Sequence, residues 1–370
     1  MKKLLLIIIY IGISISSFAQ LDGSGFYRVI NKGDGRYIHV ADNTGKINES
    51  KLEADMKAVQ LIKGFDNAVS NPETVLFFDG KGGTKYDIQA QGTGIYTITG
   101  YIPEISYMAA FGAYQLYAHG FMLSGNDDLA YASDRVSYLT LDAKTRDYKL
   151  WEVVPIDATS DNYFGITPSV EIDGVFYHPF YADFAFSFYS AGMKAYYISE
   201  TNAGGAKLVE ITDEVIPAKT PVIIECSSAN PSDNRLNILK SGGNAINDNV
   251  LKGVFFCNTS RINSKDAVTP YNKTTMRVLG KTADGKLGFI VTDAKNLAAN
   301  QAYLVVPESA NETMLALDPT QFASIDIPTI DSVKNVGVYS ILGVKLRQDN
   351  NISDLPAGIY IVNGKKVIKR

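Results

Sequence analysis

The chain has 370 residues, with 35 Lys and Arg against 39 Asp and Glu and a formal net charge of −4. Such a mildly acidic chain lacks the overall positive charge that binds nucleic acid or anionic membranes. Its length is enough for two or three domains with separate cores. The 22 Tyr and 17 Phe, together with many Gly, Asn and Asp turns, predict a mostly β fold.

Residues 1–19 have the pattern of a secretory signal peptide. Two lysines precede an apolar run, and Ser17-Phe18-Ala19 places small residues at −3 and −1 before Gln20. The alternative is an anchoring first helix, but the apolar run is short for a bilayer and small residues end it. Cleavage would change the net charge from −4 to −6, since the leader holds two lysines and no acid. We therefore expect export through the periplasm, and no transmembrane segment in the mature chain.

From Phe26 the sequence is typical of short strands separated by Gly-rich turns. The runs "FYRVIN" and "RYIHVA" flank the turn "KGDG", and similar runs continue as far as Ile156. One stretch has helical spacing, because Leu52, Met56, Val59 and Ile62 would share a face of a short helix.

The stretch "GFYRVINKGDGRYIHV" resembles the first repeat of ricin-type β-trefoil domains. "DYKLWEVVPI", with the single Trp151, resembles their closing strand. The resemblance implies a β-trefoil-like domain over residues 20–160 with a glycan as its ligand. In sugar-binding repeats of that family an Asp follows the second-strand aliphatic residue, and this chain has His39 there. A neutral imidazole can bond a hydroxyl but is not the bidentate acceptor that a carboxylate is. The resemblance therefore supports the scaffold more than the usual sugar site.

The middle region, residues 161–320, carries two related phrases, "ITDEVIPAKTPVIIEC" and "VTDAKNLAANQAYLVVP". Each places a turn before a strand. They resemble a β-sandwich-like module that is common in surface proteins of bacteria with type IX secretion. In "DFAFSFYS", Phe184, Phe186 and Phe188 alternate with small residues, which predicts a strand that packs into a core.

The sequence changes again after a polar linker, residues 321–335. Residues 336–370 resemble the C-terminal sorting domain of type IX secretion; the matching residues are Tyr339, Gly343, Leu346, Leu355, Gly358, Tyr360, Val367 and Lys369. The resemblance implies a small β domain, recognition by the secretion machinery, and release or attachment at the cell surface. The alternative is a small C-terminal sheet without a role in export.

No motif in the chain assigns a catalytic residue, a metal or a cofactor. The three histidines, among them His178 in an aromatic stretch, lack the spacing of metal ligands, and no Gly-x-Ser-x-Gly sequence is present. Cys226 and Cys257 both follow apolar, strand-like runs. An exported chain permits a disulfide between them, and two buried thiols are the alternative.

The irregular stretch "GYIPEISYMAAFGAYQLYAHGF" predicts that Tyr107, Phe111 and Tyr114 are displayed on a loop. With His39 they are the candidate ligand contacts, because sugar rings stack on aromatic side chains; a covered loop is the alternative. The sequence thus predicts an exported, non-catalytic binding or adhesion protein whose partner is a glycan or surface polysaccharide and not nucleic acid. The alternatives are a secreted hydrolase of glycans or peptides and a purely structural surface protein.

Overall fold

The computed structural model describes residues 21, 23–40, 59–81, 86–91, 104–118, 121–124, 131–133, 143–202, 204–255, 269–325, 337–340, 344–362 and 365–370. The chain divides into two compact units, 1–319 and 320–370. The predicted signal peptide, Cys257 and Gly343 lie outside the described residues, as does most of the predicted linker.

The elements of the first unit are mainly short strands. The first sheet contains β1 Gly25–Asn31, β2 Arg36–Val40, β3 Val59–Lys63, β4 Leu76–Gly80, β5 Tyr86–Ala90, β6 Glu104–Met108, β7 Ala113–Ala118, β8 Phe121–Ser124, β9 Tyr131–Ser133 and β10 Trp151–Pro155. The rest of the unit contains β11 Phe164–Gly165, β12 Val170–Ile172, β13 Val175–Phe180, β14 Ala185–Phe188, β15 Lys194–Thr201, β16 Gly205–Glu210, β17 Val222–Cys226, β18 Arg235–Leu239, β19 Leu251–Gly253, β20 Thr269–Pro270, β21 Met276–Lys281, β22 Leu287–Ile290, β23 Asn296–Leu297, β24 Ala302–Val305 and β25 Thr313–Leu317.

The helical elements are short. They are α1 Phe65–Ala68, α2 Ala143–Asp147 and α3 Pro319–Ile325, with single 3₁₀ turns at Pro72–Thr74 and Pro231–Asp233. Helix α3 includes the first residues of the predicted linker. No helix in the described part of the chain has the length and apolar character needed to cross a membrane.

The first sheet is organised around β1, which pairs with β2, β4 and the closing strand β10. Strand β10 also pairs with β7, through Trp151 and Tyr114. Inward-facing residues such as Val29, Ile38 and Trp151 are completely buried in one core cluster. The alternation of apolar and polar residues in the sequence therefore gives a sheet with one packed face.

The turn between β1 and β2 is held by a buried amide. Asn31 Oδ1 accepts the Gly33 N–H at 3.0 Å, and Asn31 Nδ2 donates to the Tyr148 carbonyl at 2.9 Å. A Cβ on Gly33 would lie 2.8 Å from the Tyr148 backbone nitrogen, and Gly35 has a φ of +71°. Only glycine satisfies both positions without strain, which explains the "KGDG" sequence.

The helix predicted around Leu52 and Ile62 is wrong over its described part. Val59 and Ile62 lie in β3, which pairs antiparallel with β2 from Arg36↔Lys63 to Val40↔Val59. Residues 51–58 lie outside the described residues. The edge of β2 gives partners to those backbone groups of 59–63 that face it, and this pairing outweighs a weak helical period.

The middle region contains a ten-stranded sheet in the order β12-β13-β17-β15-β16-β25-β22-β21-β24-β19 and a three-stranded sheet in the order β11-β18-β14. On β17, Val222 and Ile224 face a core shared with the three-stranded sheet, whereas Ile223 faces a second core on the other side. A strand covered on both faces needs a continuous apolar run, as "PVIIEC" provides. Phe184 and Phe186 are buried in the shared core, as predicted.

The two related phrases of the middle region have the same local geometry. Lys219 precedes β17 and Asn300 precedes β24, and each is a non-glycine residue with positive φ, +63° and +57°. Each uses its backbone N–H at this turn, Lys219 to the Ala182 carbonyl at 2.9 Å and Asn300 to the Val254 carbonyl at 2.6 Å. The prediction of a turn before a strand in both phrases is confirmed.

The second unit contains a four-stranded antiparallel sheet in the order β27-β26-β28-β29, with β26 Val338–Ser340, β27 Lys345–Arg347, β28 Gly358–Val362 and β29 Lys365–Lys369. With sheets in both units and only short helices among the described residues, the prediction of a mostly β protein is confirmed.

Candidate functional site

The main candidate site is a surface groove in the first unit, with a volume of about 650 Å³. One wall is formed by β1 and by the segment that follows β10. The other is formed by β14, β18 and the segment before β17. We call it the Phe26 groove; its lining residues include Phe26, Tyr27, Asp157, Ser187, Glu214, Asn237 and Leu239.

The polar floor of the groove comes from two paired strands. Ser187 on β14 lies opposite Asn237 on β18, and Asn237 Nδ2 donates to Ser187 Oγ at 3.3 Å. The neighbouring residues Phe186 and Leu236 point into the core. Strand alternation thus directs a hydroxyl and an amide to the surface while the apolar residues hold them in place.

Two carboxylates lie in the groove from opposite walls. Asp157 Oδ1 accepts the Thr159 N–H at 2.8 Å and its hydroxyl at 2.9 Å, so this carboxylate is fixed by its own turn. Glu214 is exposed and has no hydrogen-bond or ion-pair partner among the described residues. No Lys or Arg is among the lining residues that the structure describes. The side chains that line the groove therefore include two carboxylates and no cation, and the nearby Arg235 guanidinium donates to the carbonyl of the lining residue Ala158 at 2.9 Å.

The aromatic residues of the groove are anchored from behind. The Phe26 ring lies 5.0 Å from Phe77 and 6.2 Å from Phe184, and the Tyr27 ring lies 5.2 Å from Phe78. Phe26 and Tyr27 are half-buried. Phe26 packs against the core of the middle region and Tyr27 against the core of the first sheet, so the two rings lie on opposite sides of β1. The fixed Phe26 ring, beside hydroxyl, amide and carboxylate groups, can contact the apolar face of a polyhydroxylated ligand.

The structure brings Tyr107 and Tyr114 together, but not on a loop. They lie opposite each other on β6 and β7, with ring centroids 5.2 Å apart. Tyr114 is 3 % exposed, and its hydroxyl accepts the Leu21 N–H at 2.7 Å. Burial raises the pKa of Tyr114. The predicted loop display is wrong for both residues, because β6 and β7 pair and Tyr114 faces the core.

The other two predicted contacts lie elsewhere. Phe111 is half-buried at the turn between β6 and β7, where the Arg146 guanidinium stacks on its ring at 4.6 Å. His39 Nδ1 lies 3.1 Å from Glu73 Oε2, and both side chains are mostly buried. Neither residue lines the Phe26 groove. Whether any of the four predicted residues binds a ligand stays a prediction.

The described histidines and cysteine do not form a reactive site. Burial lowers the pKa of His178 to about 4, and its ring packs 6.2 Å from Phe180. Burial raises the pKa of the Cys226 thiol to about 12. Since Cys257 lies outside the described residues, the disulfide stays a prediction. No three His, Cys, Asp or Glu side chains cluster as metal ligands within the described ranges.

Sequence reasoning did not identify the groove residues. Ser187 and Asn237 are each the outward residue between two apolar ones in a strand pattern, which indicates a surface position. Their pairing joins strands 50 residues apart. Periodicity carries no information on such distant pairing.

A comparison with protein-family models gives no match, and a comparison with curated proteins gives none either. Among solved structures, one described as "Structure and mode of action of a mosquitocidal holotoxin" aligns with a TM-score of 0.28 and 11% sequence identity. The alignment covers 79% of this chain and 36% of that one. At this TM-score the likeness carries no argument about fold or function.

Proposed function

We propose that this chain is an exported protein of the cell surface or extracellular space that binds a glycan without catalysis. The observation that carries the binding role is the Phe26 groove. It combines the anchored Phe26 ring with an amide, a hydroxyl and two carboxylates on an accessible surface. Sugars are recognised by this combination of apolar ring contact and directed hydrogen bonds.

The pairing of the first sheet supports a β-trefoil-like scaffold. The first strand pairs with β10 and with β4, and β4 pairs with β5, which is part of the pairing expected of a three-lobed arrangement. The leader pattern and the likeness of residues 336–370 to a sorting domain support export. Deletion of residues 336–370 in the native host tests that part; loss of surface delivery is expected, and unchanged delivery would refute it.

A glycan array with the chain lacking residues 1–19 tests the binding role. We expect saturable binding that weakens about tenfold in Asn237→Ala, which removes the amide, and in Glu214→Gln, which replaces a charged acceptor by a neutral one. Glu171→Gln is the matched control, because Glu171 is exposed on β12 and does not line the groove.

The test separates the alternatives. Asp157 and Glu214 share one groove, so turnover of a polysaccharide or peptide library would support the hydrolase and refute the non-catalytic role. A blank array without turnover would favour the purely structural surface protein.

A further inference from the structure

The second unit exposes a concentration of large apolar side chains. In the described part of the chain, seven such residues are prominently exposed, and four of them belong to this smaller unit: Val344 at 60%, Leu346 at 44%, Ile359 at 39% and Ile368 at 65%. Two of them, Ile359 and Ile368, are cross-strand neighbours, and neighbouring exposed apolar side chains on a small β sheet indicate a contact surface.

Strand register places part of this surface on one side of the sheet. Ile359 lies directly opposite Ile368, and Ile361 lies opposite both Lys366 and Tyr339. Directly opposed residues in antiparallel strands point to the same side. Lys345 pairs with Tyr339, and its Nζ lies 5.7 Å from the Tyr339 ring centroid. We call this side the Ile359 face; it comprises Tyr339, Lys345, Ile359, Ile361, Lys366 and Ile368.

The opposite side of the same sheet is packed. Val338 and Tyr360 are buried, and the Tyr360 hydroxyl donates to the Pro356 carbonyl at 2.6 Å. Lys369 Nζ donates to the carbonyls of Ser353 and Leu355, so the segment before β28 covers that side. The Ile359 face is therefore the side of this sheet that presents its apolar residues to solvent.

The charge of this face is positive. Of the six described Lys and Arg from residue 337 onwards, Lys345 and Lys366 belong to this face, and the two acidic side chains, Asp349 and Asp354, do not. Both acids bind Arg347. Neither Lys345 nor Lys366 forms an ion pair with a described residue. The whole chain has a net charge of −4, but this value does not describe the local charge of the Ile359 face.

We propose that the Ile359 face binds the surface of an anionic lipid bilayer. The two isoleucines would enter the boundary between headgroups and acyl chains, while Lys345 and Lys366 would lie against the anionic headgroups. Lysine is depleted in protein interfaces, whereas aromatic residues and arginine are enriched there, so a protein partner fits this face less well. A second copy of the chain bound through the same face would place the lysines of the two copies near each other, and their repulsion disfavours such a dimer.

Vesicle flotation of the chain lacking residues 1–19 tests this proposal. One set of vesicles contains phosphatidylcholine alone, and the other contains equal parts of phosphatidylcholine and phosphatidylglycerol. We expect flotation with the anionic vesicles that decreases as salt is added. Lys366→Gln should lower the partition constant about fivefold, and Ile368→Ser roughly tenfold.

The controls lie in the first unit, where Lys252→Gln makes the same change as Lys366→Gln, and Val305→Ser makes a change similar to Ile368→Ser, both at exposed positions. They should float like the unsubstituted chain. Equal flotation with neutral and anionic vesicles would overturn the proposal, as would equal losses in face and control variants. Absence of flotation together with dimers in sedimentation would also overturn it and assign the face to a second copy. We expect all variants to keep the native melting curve, because the substituted side chains are solvent-exposed.

Discussion

Arg28 and Asn162 are joined by a hydrogen bond of 2.8 Å from the guanidinium to the side-chain carbonyl. Arg28 is completely buried and also donates to Thr74 and to the carbonyls of Tyr163, Ala68 and Val69. Burial lowers the pKa of Arg28 to about 10. This cation therefore connects β1 to the turns after α1 and after β10.

We expect Arg28→Lys to lower the free energy of unfolding by about 3 kcal/mol. A lysine has three donors on a flexible stem and cannot reach the same set of acceptors, so buried carbonyls lose their partners. Urea unfolding measures the change. Arg36→Lys is the control, since Arg36 binds Asp34 two residues away and a lysine can keep that ion pair, so the change should cost about 1 kcal/mol. Equal costs for the two variants would contradict the structural role of Arg28.

Tyr114→Phe tests whether this tyrosine belongs to the core or to a ligand site. The change removes the acceptor of the Leu21 N–H, so we expect a loss of about 1 kcal/mol in the free energy of unfolding. Glycan binding should be unchanged, because the ring stays in the core. Tyr107→Phe is the matched control across the strand pair. If Tyr114→Phe abolished glycan binding and left the free energy of unfolding unchanged, Tyr114 would be a ligand contact and not a core residue.

The sequence predicts a strand well where a short run of neighbouring residues is enough to determine which side chains are buried. The run "PVIIEC" forms a strand because Val222, Ile223 and Ile224 are all apolar, and the structure buries both of its faces. The helical prediction for the segment around Val59 is wrong because a few apolar residues at helical spacing are a weak signal. Its strand conformation depends on β2, a partner elsewhere in the chain.

Sequence patterns do not predict the candidate site for the same reason, because the site depends on pairing between strands that are distant in the chain. Tyr114 is adjacent to Trp151 only after β7 pairs with β10, and this pairing converts an apparently displayed aromatic residue into a core residue. The Phe26 groove likewise exists only where β1 and β18 approach each other. Sequence periodicity reports which side chains point outwards, but not which outward side chains become neighbours.

His178 should make the protein sensitive to acid. Its pKa is about 4 in the folded chain, against 6.5 for an ordinary histidine, because burial disfavours the charged ring. The unfolded chain binds a proton first as pH falls, so stability is retained above pH 6.5 and lost between pH 6.5 and 4. The loss is roughly 3 kcal/mol. Urea unfolding of His178→Phe at both ends of this window should show less destabilisation by acid; an unchanged pH dependence would contradict the assignment.

The charge of the Phe26 groove predicts which glycans it prefers. Glu214 faces the groove without a cationic partner among the described residues, so we expect neutral oligosaccharides to bind more tightly than uronic acid oligosaccharides of equal length. Glu214→Lys should raise the affinity for the uronic acid ligand relative to the neutral one roughly tenfold, since it replaces repulsion by attraction. Titration calorimetry with both ligands measures this ratio. Glu171→Lys makes the same change of charge outside the groove and should leave the ratio unchanged. If both variants shift the ratio equally, the effect comes from the net charge of the protein, and the groove is not where the glycan binds.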